Sequence, residues 1–361
     1  MLLLLSGCTL LSSVVPTNLK NVEVVEVHAR LVDPSGACPG NSVPLVVTAV
    51  ASDGTEYSTQ PTGDQKSVKL KNFTLLGAGV TVDPASAMVT LPSDPGALWG
   101  STGTVQAGSA YHPVITEIVV PVRYDCSYSA NFSGESGRNG TDGTFGSSGD
   151  HGVDKQSSES YAEPGGHGED GQDGGDGGDG ESGRDGGDVL VKADTIQDAS
   201  GQTFLLVEVE GRNSNRSARY VLEPGQTVTV HADGGSGGRG GNGANGGSGG
   251  SGGTGAPPGD GGDGGDGGNG GDGADGGNGG SVSVILDNSV AALGNPIEVV
   301  NRGGAGGPAG SAGAGGSGGN TFSGADAGES GQMGQPGQRG GRSGQAGPAP
   351  SVNTKSITLG L

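Results

Sequence analysis

The sequence predicts an all-β chain that also carries polyproline II structure. It reads as a β-sandwich followed by a six-helix glycine-rich polyproline II bundle on a small β base, with essentially no α-helix. Three observations predict it. Glycine returns at every third position over 234–280 with one beat missed at Pro258, usually with a second glycine beside it. Short alternating runs rich in Val, Thr and Ile fill 22–124, separated by turn residues. The same glycine period then reappears in several blocks up to residue 347.

A period of three belongs to neither helix nor strand. It is that of the polyproline II helix, with three residues per turn and about 3.1 Å per residue. Over 234–280 two of the three phases are nearly all Gly. The third carries Ser236, Arg239, Asn242, Asn245, Ser248, Ser251 and Thr254, then Asp260, Asp263, Asp266, Asn269, Asp272, Asp275 and Asn278. Two bare edges let neighbouring backbones approach, and one polar edge faces water. A polyproline II helix has no internal hydrogen bonds, so its amides pair with neighbours or water. Ala256-Pro257-Pro258-Gly259 supplies the reversal between two arms, each spanning roughly 60–70 Å.

Six such arms are expected: 134–152, 165–186, 234–255, 261–279, 304–319 and 328–347. They form three hairpins within a domain spanning 133–361. The segments 188–233, 281–302 and 351–361 are the interspersed β segments, all at one end. Arm five carries small uncharged residues and is expected at the centre. Arms one and six keep a single Gly edge and are expected at the margin. Arm six slips by one residue at Gly340-Gly341.

The chain has 361 residues, 82 of them Gly, with 3% aromatics and a formal net charge of −21. Such acidity argues against nucleic-acid binding, which needs Lys/Arg patches. No stretch is long enough to span a membrane.

Residues 21–132 read as a β-sandwich domain, with Trp99, Phe73, Tyr57 and Tyr111 in its core. His28 is expected to face solvent, and His112 to sit in a turn before Pro113. The pattern, with the hairpin Ala51-Ser-Asp-Gly-Thr-Glu-Tyr57, resembles bacterial immunoglobulin-like domains of surface proteins.

At the N-terminus, Leu5-Ser6-Gly7-Cys8 resembles the lipobox of bacterial lipoproteins. The resemblance implies a signal over 1–8, lipid modification of Cys8, and a tether over 9–20. Thr9 in place of Asp implies the outer membrane, on its periplasmic or cell-surface side. Export permits a disulfide, and Cys38 and Cys126 remain to form one.

Where arms run into strands, as in Pro258-Gly-Asp-Gly-Gly-Asp-Gly-Gly and Gly279-Gly280-Ser281-Val282, the pattern resembles the N-terminal domain of Obg-type GTPases. It is also similar to the glycine-helix bundles of phage tail-fibre adhesins and of a glycine-rich antifreeze protein. These resemblances imply architecture and binding surfaces at loop tips or a flat face. They imply no GTPase, since GxxxxGK[ST] occurs nowhere.

No arrangement of Ser, His, Asp or Cys points to catalysis, so the chain is expected not to be an enzyme. Two acidic stripes, Asp170, Asp173, Asp176 and Asp179 with Asp263, Asp266, Asp272 and Asp275, are the candidate Ca2+ ligands; the RTX repeat they approach needs an apolar residue where this chain has Gly. No other cofactor is expected. His151 and His167 stand isolated among Gly and carboxylates. Candidate contact tips are Tyr161, Pro164, Pro257, Pro258, Phe322 and Met333. The leading expectation is an exported surface lipoprotein, probed at its tips by a surface protein or glycan partner, monomeric, and structural or adhesive in role. The alternatives are a collagen-like trimeric stalk, suggested by residues 328–339, and an ice- or calcium-binding repeat protein.

Overall fold

The computed structural model describes residues 16–156 and 162–361. The chain is mostly β-sheet, with a single six-residue α-helix among the described residues.

The first part holds nine strands: β1 (Val24–Leu31), β2 (Ser42–Ala51), β3 (Glu56–Ser58), β4 (Lys66–Ser67), β5 (Phe73–Ala78), β6 (Thr81–Asp83), β7 (Met88–Thr90), β8 (Gly103–Ser109) and β9 (Ile115–Val120). One sheet runs β4-β3-β2-β7-β6, with β1 also paired to β2; the other is β5-β8-β9. Alternation along β2 and β8 turns Leu45, Val47 and Ala49 and Val105 and Ala107 into one buried core, with Phe73 and Tyr57. Tyr111 is exposed instead, because it lies in the turn after β8. Residues 17–20, expected in the tether, are folded: Thr17 bridges Val68 and Leu19 is fully buried. The Cys38–Cys126 disulfide is formed, with Cα atoms 6.4 Å apart. His28 is exposed beside Glu26.

The second part begins earlier than residue 133. Strand β10 (Tyr128–Asn131) pairs not with the first sheets but with β14 (Val228–His231). Before β14 come β11 (Val189–Gln197), β12 (Thr203–Gly211) and β13 (Ser217–Leu222); after it come β15 (Val282–Leu286), helix α1 (Asn288–Leu293), β16 (Ile297–Val300) and β17 (Ser351–Thr354). Asp287 caps α1 by accepting the Ser289 N–H, and Gly294 ends it at φ 110°. That pair of caps was the sequence signal for the helix. Strands β10, β14 and β16 make one parallel sheet, each feeding a glycine arm. Strands β11, β15 and β17 receive the returning arms and are parallel too, with β12 and β13 added antiparallel at one side. Val191, Val207, Val230 and Val284 fill the core between the two sheets.

The two parts meet at an aromatic joint. Trp99 lies edge-on to Tyr124 and Phe204, at centroid distances of 5.6 and 5.3 Å. Trp99 therefore belongs to the joint and not to the first core. Residues 355–361, expected as a closing strand, leave β17 as a strap. Asp287 accepts the Ile357 N–H, and Asp194 accepts the Leu359 N–H. Leu359 then reaches the joint. Hydrogen bonds from the Ser289 hydroxyl, then from the Ser289 and Ile357 amides, hold the Asp287 carboxyl down to about 2. A depressed folded-state value means that this tie is complete above the ordinary Asp range near pH 4 and is lost as pH falls toward 2. The Ile357 amide resonance is expected to titrate with a midpoint near 2; a midpoint near 4 contradicts this.

Candidate functional site

The glycine arms contain neither strand nor helix, yet their backbones are hydrogen-bonded throughout. The bonds repeat every third residue. Gly137, Gly140 and Gly143 of arm one donate to Ser236, Arg239 and Asn242 of arm three, at 2.8 Å each. Gly237, Gly240 and Gly243 of arm three donate onward to Ala305, Pro308 and Ser311 of arm five. Arms two, four and six repeat the scheme, as in Gly171 to Asp263 and Gly264 to Glu329. Consecutive arms are joined by a second set: Gly178 donates to Thr141, Gly241 to Gly178, Gly271 to Gly241, Gly310 to Gly271 and Gly337 to Gly310.

Arms one, three and five thus form one layer, and arms two, four and six a second that runs the opposite way. Arms three and four each touch four others and are the centre; arm five, expected there, touches three. The three hairpins are not separate units, since arms one to four each also bond the arm two ahead. Arm six does slip: Gly337 pairs with Gly310 and Gly341 with Gly307, a step of four against three.

Close approach explains which positions are Gly. A Cβ on Gly237 would overlap the Ala274 carbonyl of the next arm. A Cβ on Gly241 would overlap the Thr141 carbonyl, two arms back. Arms three, four and five meet both constraints and need two Gly phases. Arms one and two have no arm two back, and arm six has no next arm. Side chains such as Arg138 and Met333 occupy the released phases, and end the lattice.

The third phase carries the polar side chains, and they cap. Asp170, Asp173, Asp176 and Asp179 accept the backbone N–H of Asp263, Asp266, Asn269 and Asp272, at 2.6–2.7 Å. Asp263, Asp266, Asp272 and Asp275 accept those of Glu329, Gln332, Arg339 and Arg342. All eight candidate calcium ligands are therefore engaged as caps through one oxygen each. Among the described residues, the one trio of metal-type ligand atoms lying within 4.8 Å of one another is Cys38, Asp125 and Cys126, where both sulfurs form the disulfide. His151 and His167 cap in the same way, each accepting through Nδ1. Where the capping side chain is Arg239, which cannot accept, the residue opposite is Pro308, which has no N–H to cap. A cap on an exposed amide contributes about 0.5–1.5 kcal/mol. Asp176→Ala is expected to cost that much in thermal unfolding and Asp176→Asn, which keeps an acceptor, close to nothing; equal losses would show that charge matters and not capping.

The two broad faces differ. The layer of arms two, four and six presents the Asp columns, relieved by Arg339 and Arg342. The other layer presents Asn139, Asn242, Ser248, Ala305 and Ser311, with Phe145 79% exposed. At the free end the loops interlock. Gly165 donates to Pro257, Ala256 to Glu163, and the Thr321 hydroxyl to Gly259. Phe322 is 51% exposed on this tip, and Pro257 is exposed in the 256–259 loop. Pro258 is half-buried in the loop, and Pro164 is exposed at the start of arm two. Met333 lies along the outer edge of arm six, not at the tip. Tyr161 and Cys8 fall outside the described residues. No family model matches the chain, and no curated protein or solved structure matches it.

Proposed function

We propose that this chain is an exported lipoprotein, anchored through Cys8 in a bacterial outer membrane, with a structural or adhesive role and no catalytic one. In this reading residues 21–126 are an immunoglobulin-like sandwich that serves as a stalk. The six arms are polyproline II helices bundled into a slab that carries its tip loops away from the base. The observation that carries the reading is the hydrogen-bond ladder. It repeats every three residues from base to tip and is satisfied within one chain, which makes a stiff projection almost free of large side chains. The exposed Phe322 and Pro257 at the tip are the features a partner would grip. The bonding within one chain favours a monomer over a collagen-like trimer.

The test is attachment of cells displaying the chain. Replacing Phe322 and Tyr161 by Ser is expected to lower attachment about tenfold or more, as loss of an aromatic anchor does. Unchanged attachment with normal surface display would remove the tip from consideration. Cys8→Ser is expected to move the protein from the membrane fraction to the soluble one.

A further inference from the structure

The acidic balance of the chain hides one basic end. Lys20, Lys66, Lys69 and Lys71 all lie where residues 17–20 enter the fold. Thr17 donates to Ser67, between Lys66 and Val68. Leu19 donates to the Asn72 side chain at 3.0 Å, and Asn72 in turn donates to Lys69 O. The Asn72 carbonyl accepts the Ala110 N–H, and His112 Nε2 lies 3.4 Å from Leu19 O, so the turn carrying Tyr111 meets the entry segment. Asn72 itself is 1% exposed; its side chain ties the entry segment to the Leu70–Asn72 turn, and its backbone carbonyl holds the 110–112 turn.

All four lysines are exposed. Among the described residues none of them has a carboxylate within 4.0 Å, whereas Lys155 and Lys192 are both paired. Carboxylates do stand near one side of the group: Asp53, Glu56 and Asp64 flank Lys66. Tyr111, in the turn tied to Asn72, is 42% exposed. Lys66 lies over the Tyr57 ring, 5.5 Å from its centroid; among the described residues Lys20, Lys69 and Lys71 have no such partner. Three free cations in a chain of net charge −21, near the turn that carries the exposed Tyr111, are a surface matched to anionic headgroups at an interface.

We infer that this end of the first domain docks on an anionic phospholipid surface. The inference rests on the lipoprotein reading for its biological setting, because Cys8 lies only a short stretch of chain before Thr17 and would hold this end at the bilayer. The lysines then set orientation. The basic end faces the lipid, and the acidic Asp columns of the slab are repelled from it, so the slab stands outward. One lipid chain gives marginal, reversible binding, and a basic patch is the kind of second signal that makes it stable.

The test uses the full chain carrying Cys8→Ser, so that no acyl chain contributes. Its partitioning is measured onto phosphatidylcholine vesicles with and without phosphatidylglycerol. Binding is expected only with phosphatidylglycerol, and is expected to vanish in 1 M salt, where screening acts within about 3 Å. Each lysine near an anionic surface is worth roughly a fivefold change in partitioning. Lys69→Gln with Lys71→Gln is therefore expected to lower partitioning about twenty-five-fold, and the corresponding Arg pair to leave it unchanged. Equal binding to both vesicle types, or a Gln pair that binds as well as the parent, overturns the inference. So does salt-sensitive capture by a soluble anionic polysaccharide with no binding to the vesicles. Membrane fractionation of the parent chain against Cys8→Ser in cells tests the anchor separately, so either idea can fail alone.

Discussion

Gly241→Ala is expected to destabilise the glycine slab by about 3 kcal/mol or more, at the upper end of overpacking costs. Gly241 is in the central arm, where its N–H donates to Gly178 and its carbonyl accepts from Gly271. The added Cβ would overlap the Thr141 carbonyl, and no flexible side chain is there to yield. Three backbones would have to separate, loosening bonds on both sides of the substitution. The matched control is Ser311→Ala, in the outward phase of arm five, where the neighbouring triplet already carries Ala314. It is expected to change stability by less than about 0.5 kcal/mol. Thermal unfolding distinguishes the two. A shift for Gly241→Ala no larger than that of Ser311→Ala would mean the arms do not pack at this separation.

Removing the disulfide acts on the other half of the molecule. Cys38 and Cys126 are separated by 88 residues, and closing a loop of that length lowers the entropy of the unfolded chain by about 4–5 kcal/mol equivalent. The bond ties the segment after β1 to the chain just before it enters the second part, beside the Ala37–Val122 bridge. Cys38→Ser with Cys126→Ser is expected to lower the unfolding midpoint of the first domain and leave that of the slab in place. Gly241→Ala is expected to do the reverse. If both variants move a single common transition, the aromatic joint of Trp99, Tyr124 and Phe204 couples the parts into one cooperative unit.

Much of the slab was legible because glycine records close contact directly. A phase that must be bare is visible as a column of Gly, and a margin arm is visible as a phase that fills with side chains. Arms one and six were placed at the edge on that basis. Arm five was misplaced by the same kind of reasoning. Its Ala and Pro residues suggested burial, but small side chains also suit an outward phase that has no further arm to cap. The acidic stripes suggested cation ligands, and their spacing could not show that each Asp faces a backbone amide of a parallel arm. The lysine end was equally invisible, since Lys20 and Lys71 converge through Asn72 and the Thr17–Ser67 bond, across some fifty residues of chain.

The sequence by itself determined the all-β class, the number of arms, the slip in arm six and the one cysteine pair in the first domain. These follow from local period, turn chemistry and composition. Only the tertiary structure decided which arms adjoin and in what register. A pattern of period three looks the same after any shift by three, so it cannot specify its own alignment. The base strands do that. Asn131 pairs with His231, and the same separation of 100 residues recurs from Asp142 to Asn242 along the arms. Strands β11 and β15 likewise set the separation of 93 that brings Asp170 to Asp263. Parallel pairing in a buried sheet, where a one-residue slip would turn apolar side chains outward, imposes on the arms an alignment their own repeat leaves open.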